Sequence, residues 1–142
     1  MFKKMLIITL VLASMPALAY AGPRVDAKVI NNTNTTIEYQ SSTSCTGSWA
    51  DPWPDILSGQ SETSNVTSPF STSVSCRVEY ERDDNGRYCR FQISRLRSSL
   101  SGPWNYPQVF TTKSSSGITC SHNFTSVSFG SDGDFSVELE LD

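Results

Sequence analysis

Residues 74–95 read VSCRVEYERDDNGRYCRFQISR. Val74, Cys76, Val78 and Tyr80 fall on one side of an extended chain, and Ser75, Arg77, Glu79 and Glu81 on the other. That two-residue period marks a strand with one buried face. Asp83-Asp84-Asn85-Gly86 has the composition of a turn. Cys89, Phe91 and Ile93 then share a face opposite Arg90, Gln92 and Ser94. A four-residue loop pairs Arg82 with Arg87, Tyr80 with Cys89, Val78 with Phe91, and Cys76 with Ile93. Apolar meets apolar at the three lower pairs, so register and burial agree. A two-residue turn at Asn85-Gly86 would slip the pairing by two and keep the same faces.

This hairpin constrains the four cysteines, Cys45, Cys76, Cys89 and Cys120. In either register Cys76 and Cys89 stand roughly four to six residues apart along the ladder, well over 10 Å at about 3.3 Å per residue. A disulfide needs Cα atoms within about 7 Å, so this pair is excluded and each thiol must find Cys45 or Cys120. The expected bonds are Cys45–Cys76 and Cys89–Cys120. The spacings of 31, 13 and 31 contain no CxxC knuckle, which argues against a Cys₄ zinc site.

Alternation continues on both sides of the hairpin. Val25, Ala27 and Val29 alternate with polar residues, and Ile37 and Tyr39 do so after Asn31-Asn32-Thr33-Asn34, as a hairpin or a strand–loop–strand. Ser41 to Pro54 reads as loop, Ile56-Leu57 as a strand start, and Asn65-Val66-Thr67 as part of another strand. Ile118, Cys120, His122 and Phe124 share one parity. Val127 and Phe129 take the other, which places a bulge near Thr125. Ser131-Asp132-Gly133 turns the chain into Phe135, Val137, Leu139 and Leu141. No stretch has a convincing helical period. About seven to nine strands with two disulfides predict an all-β chain, an antiparallel β-sandwich.

Composition agrees. The chain has 142 residues, of which 37 are Ser or Thr, and only 18% are charged. One domain is the most that this length supports. Met1-Phe2-Lys3-Lys4, an apolar run from Met5 to Ala13, and small residues up to Ala21 have the layout of a secretory signal peptide. Cleavage after Ala21 leaves a single domain over 22–142 with nine basic and fourteen acidic residues, a net charge of −5. The chain is therefore expected to be secreted or periplasmic. Export favours disulfides, and the acidic balance makes nucleic acid a poor partner.

Few residues suggest chemistry. His122 is the sole histidine. It shares its parity with Cys120 and Phe124 as a structural residue would, and no GxSxG elbow accompanies it. No carboxylate pair stands out. Asp83-Asp84-Asn85-Gly86 and Asp132-Gly133-Asp134 lack the spacing of calcium loops. Asn31, Asn34, Asn65 and Asn123 open N-x-S/T triplets, but the bacterial look of the leader makes them loop polar residues. The chain is expected to be no enzyme and to need no metal or cofactor.

Aromatic loops are the stronger lead. Residues 47–55 (GSWADPWPD) hold Trp49, Trp53, Asp51 and Asp55, and residues 102–107 (GPWNYP) hold Trp104 and Tyr106. Proline stiffens such loops and can hold a ring outward at little entropic cost. Trp and Tyr suit lipid headgroup interfaces and sugar faces, and a neighbouring carboxylate suits an ammonium headgroup. Alternatively these rings plug the ends of the sandwich. Arg87, Arg90, Arg95 and Arg97 lie within eleven residues and suit an anionic headgroup or acidic partner. Otherwise they pair with Glu79, Glu81 and their neighbours.

Val29-Ile30-Asn31-Asn32-Thr33, Gly47-Ser48-Trp49, Pro52-Trp53-Pro54, Ile56, Ser58-Gly59 and Val78-Glu79-Tyr80 follow one another in an order that resembles the aegerolysins and the related bacterial crystal toxins, haemolysin-like sandwiches of actinoporin-like architecture. The likeness covers about residues 28–81. It implies binding to membrane lipids, in some cases as one part of a pore-forming pair, with Trp49, Trp53 and Pro54 in a lipid-facing loop. The expected function is thus an exported, non-enzymatic protein that recognises lipid headgroups. The rivals are a periplasmic inhibitor or immunity-type protein and a carbohydrate-binding module.

Overall fold

The computed structural model describes residues 21–41 and 44–142. The expected leader, residues 1–21, lies outside them except for Ala21. Among the described residues there are eight strands: β1 (Arg24–Asn31), β2 (Ile37–Tyr39), β3 (Ser61–Thr67), β4 (Ser73–Arg82), β5 (Tyr88–Leu96), β6 (Gln108–Lys113), β7 (Cys120–Val127) and β8 (Phe135–Leu141). They form two four-stranded sheets, ordered β3-β1-β8-β7 and β2-β4-β5-β6. The chain is all-β, with disulfides Cys45–Cys76 and Cys89–Cys120.

The β4–β5 hairpin has the four-residue register, with Tyr80 opposite Cys89, Val78 opposite Phe91 and Cys76 opposite Ile93. Gly86 sits at φ +69°, which closes the turn without a Cβ penalty. The inward residues of β4 and β5 meet those of β1 and β8, including Val25, Ala27, Val29, Val137, Leu139 and Leu141, in one core. The bulge in β7 falls between Phe124 and Ser126.

Four features differ from the sequence reading. β1 and β8 pair in parallel, so the first sheet is mixed rather than wholly antiparallel. Ile56 makes an isolated bridge to Ile37 rather than starting a strand. β6 is a strand with an almost wholly exposed burial pattern, which is why no alternation announced it. Asn31 is a buried hub rather than a loop residue: its Nδ2 donates to the carbonyls of Thr35 and Ile56, and its Oδ1 accepts from Thr33.

The segment from Cys45 to Ile56 closes one side of the sandwich. It is tied to β4 by the disulfide and by backbone bonds between Thr46 and Ser75 and between Arg77 and Ser44. Trp49 then bridges Val66 of β3, and Ile56 bridges Ile37 of β2. Trp53, only 6% exposed, lies in the core at this side.

The register also sorts the loops. Thr67, Phe135 and Val127 mark one end of the first sheet. Ser73, Leu96 and Gln108 mark the corresponding end of the second. Loops 68–72, 97–107 and 128–134 therefore emerge side by side at one end of the molecule.

Candidate functional site

The indole rings do not jut outward as the loop composition suggested. Trp53 packs against Trp49 at 5.1 Å and Tyr80 at 6.3 Å between ring centroids, and Trp49 is half-buried. Flanking prolines stiffen this segment, but the disulfide and the two bridges press it inward. Asp51 and Asp55 are exposed, and the Asp55 carboxylate accepts the backbone N–H of Tyr39 at 3.0 Å. Burial raises the Tyr80 phenol well above its ordinary pKa, while its hydroxyl donates to the Pro54 carbonyl. This side is a plug. Trp104 is buried at the loop end instead, so the three rings do not cluster.

The arginines are not one patch either. Arg87 and Arg97 are ten positions apart along a strand, about 30 Å, so they serve opposite ends. Arg87 donates to the Gly117 carbonyl. Arg90 pairs with Glu79, and that hydrogen bond raises its pKa further. Only Arg95 and Arg97 share a location, at the loop end.

There the two guanidinium groups join all three loops. Arg97 donates to the carbonyls of Ser71 in loop 68–72 and Ser131 in loop 128–134. Arg95 donates to the carbonyls of Asn105, Gly133 and Asp134. Trp104 lies 4.5 Å from the Arg97 guanidinium and 5.7 Å from that of Arg95, and its Nε1–H donates to the Ser131 carbonyl. Arg95 is 1% exposed. Desolvation lowers its pKa, opposed by the charges of Asp132 and Asp134, and its Nη2 has no hydrogen-bond partner. Neither arginine belongs to any of the four ion pairs found among the described residues.

Around this base stand exposed apolar side chains. Phe70, Leu96, Leu100, Tyr106 and Phe129 are between 52% and 76% exposed, and all five lie on or beside the three loops. Tyr106 contacts Phe124 at 5.5 Å and Phe129 at 6.5 Å. Of the residues proposed from the sequence, Tyr106 is the one presented as a ring to solvent. The alternation that the sequence suggests through Phe129 stops at Val127, where β7 ends, and Phe129 is the most exposed of the set. Phe70, Leu96 and Leu100 were not singled out. A signal is present in the sequence for two of them: Phe70 in Ser68-Pro69-Phe70-Ser71-Thr72 and Leu100 in Ser98-Ser99-Leu100-Ser101-Gly102 are lone large apolar residues among small ones.

His122 has the inward parity expected, opposite Leu139, yet it is exposed because β7 is an edge strand. It touches Phe124 edge-on at 5.7 Å. The acidic turns are engaged locally: Asp84 with Arg82, Asp83 with Thr35, Asp132 with Ser128. Among the described residues no three His, Cys, Asp or Glu side chains converge as a metal site would require. No protein-family model matches the chain, and no curated protein matches it significantly.

Proposed function

We propose that this chain is an exported, non-enzymatic binding protein that docks its loop end on a lipid–water interface. The observation that carries the reading is the gathering of Phe70, Leu96, Leu100, Tyr106 and Phe129 on adjacent loops. Exposed apolar side chains scattered singly are ordinary, whereas here Tyr106 touches Phe129, Leu100 and Phe129 line one recess, and Phe70 and Leu96 lie on or beside the neighbouring loops at the same end. These five lie at loop tips and margins. Tips suit a fluid apolar medium, which needs no matching shape. Full transfer of one such side chain out of water is worth about 1.5–3 kcal/mol, so a few of them give measurable partition.

Charge supports the same orientation. Loops 68–72, 97–107 and 128–134 contain only Arg97, Asp132 and Asp134 as charged residues, so most of the acidic excess lies elsewhere. Arg97 and the indole of Trp104, just beneath the tips, have the amphipathic character found at membrane interfaces. This reading moves the lipid-facing surface from Trp49 and Trp53 to the three loops 68–72, 97–107 and 128–134, and it does not rest on the family resemblance. Whether the chain perforates a membrane is not part of it. The two disulfides suit an oxidising, extracytoplasmic compartment.

Co-sedimentation with phospholipid vesicles tests the proposal. The wild-type protein is expected to pellet with vesicles, and Leu100→Ser with Phe129→Ser to abolish this. Leu57→Ser, at the other end, is expected to leave it unchanged. Failure of the wild type to bind any of a broad panel of vesicles would overturn the reading. A protein partner is the second reading, favoured by β6, an exposed edge strand open to strand addition. Its sign is tight capture of one protein that Phe129→Ser leaves intact.

A further inference from the structure

Between loops 97–107 and 128–134 lies a recess of about 350 Å³, lined in part by Arg97, Leu100, Ser101, Trp104, Phe129 and Ser131. We propose that this recess receives the phosphodiester of a lipid headgroup, with Arg97 as its cationic anchor. The inference rests on the membrane reading above and adds the chemistry that the surface selects.

Arg97 is suited to that task in three ways. It has no carboxylate partner among the described ion pairs. The hydrogen bonds it makes go to neutral carbonyls, two from Nε and Nη2 to Ser71 and one from Nη1 to Ser131. A guanidinium carries five N–H groups, so two are left over for incoming oxygens. The bond to Ser131 is also the longest of the three, at 3.3 Å, and is the readiest to yield to a charged acceptor. Finally, contact with Trp104 at 4.5 Å fixes the position of the guanidinium, and a pre-positioned Arg recognises phosphate oxygens with less entropy lost.

The remaining lining selects the kind of anion. Ser101 and Ser131 supply hydroxyls that can donate, while Leu100 and Phe129 form an apolar margin at 65% and 76% exposure. An inorganic phosphate would leave that margin in water. A lipid phosphate covers it, because the acyl chains begin a few bonds away. No carboxylate is among the residues lining the recess, and the nearby Asp132 is turned to the Ser128 hydroxyl. An ammonium group therefore finds no counter-charge here, which reverses the polarity expected from Asp51 and Asp55 beside the other Trp loop.

Two kinds of vesicle test this with the unaltered protein: phosphatidylglycerol, and digalactosyldiacylglycerol, which has acyl chains but no phosphate. Binding to the first is expected to be at least tenfold tighter. Arg97→Gln is expected to reduce binding on phosphatidylglycerol to the galactolipid level, and Arg97→Lys to restore part of it. Equal wild-type affinity for the two vesicles overturns the headgroup inference and leaves the membrane reading intact, as does an Arg97→Gln protein that still prefers phosphatidylglycerol. Binding to neither vesicle overturns the headgroup inference, and binding to none of the broad panel overturns the membrane reading as well; a change in tryptophan emission on adding inorganic phosphate alone would then assign the recess to a soluble anion. Should Arg97→Gln fail to fold, the wild-type comparison decides.

Discussion

Gly133 packs directly against the indole of Trp104. A Cβ built on this glycine would overlap Trp104 Cε2, Cδ2 and Nε1, so the two chain segments are as close as backbone and ring allow. This contact, the Trp104–Ser131 hydrogen bond and the Arg95 bonds to Gly133 and Asp134 hold loop 97–107 on loop 128–134.

Gly133 is consequently intolerant of a side chain on two grounds. Its φ is +72°, a conformation that costs an L-residue about 1–2 kcal/mol, and the methyl has no room. Gly59 has nearly the same φ of +73° but nothing within 4 Å of the built Cβ. Gly133→Ala is expected to lose more than twice the stability lost by Gly59→Ala in urea unfolding. Equal losses would mean that the Trp104 contact is loose.

Truncating the ring tests the same junction from the other side. Trp104 is 8% exposed, and removal of a buried aromatic to Ala costs about 3–5 kcal/mol. Trp104→Ala is expected to fall in that range. Trp104→Phe keeps most of the packing but loses the Nε1–H bond to Ser131, and is expected to cost about 1–2 kcal/mol. Urea midpoints with unchanged slopes are the check.

The disulfides separate by readout rather than by energy. Each links cysteines 31 positions apart, for which chain entropy gives about 3.7 kcal/mol apiece. The double variants Cys45→Ser with Cys76→Ser and Cys89→Ser with Cys120→Ser are expected to lose similar stability. Only the first frees the segment that carries Trp49 and Trp53, so only the first is expected to red-shift the emission of the folded protein. Cys89 and Cys120 lie toward the end away from Trp104, and their loss leaves every indole in place.

What could be read from the sequence was what periodicity encodes. The β4–β5 register, the bulge near Thr125 and β8 all follow from alternation of buried and exposed side chains, and exclusion of Cys76–Cys89 follows from that register. β6 escaped notice because it is an edge strand whose neighbours bury almost none of it. The parallel pairing of β1 with β8 escaped because pairing between the chain's two ends leaves no local mark. The site was misread at Trp49 and Trp53 for a related reason. Proline and tryptophan in one segment show stiffness and apolar area, but whether the rings point in or out depends on tethers at Cys76, Val66 and Ile37, on three other strands. At the loop end the opposite error occurred: Phe129 was extrapolated from the period of β7 beyond the point where that strand stops.

Acid should loosen the loop end through Asp132. Its Oδ1 accepts the Ser128 hydroxyl at 2.6 Å. That bond first, and neighbouring backbone N–H groups after it, hold its pKa below the ordinary carboxylate range. A carboxylate with a depressed folded pKa stabilises the native state in full above its unfolded value, about 3.9 for Asp. It loses that contribution as pH falls through the folded value. The stability difference between wild type and Asp132→Asn is therefore expected to be constant from neutral pH down to about 4 and to shrink below it. Ser128→Ala is expected to move the Asp132 carboxyl titration, followed by NMR, upward toward that of a free aspartate. A difference that instead grows on acidification would show that the Ser128–Asp132 contact favours the protonated acid.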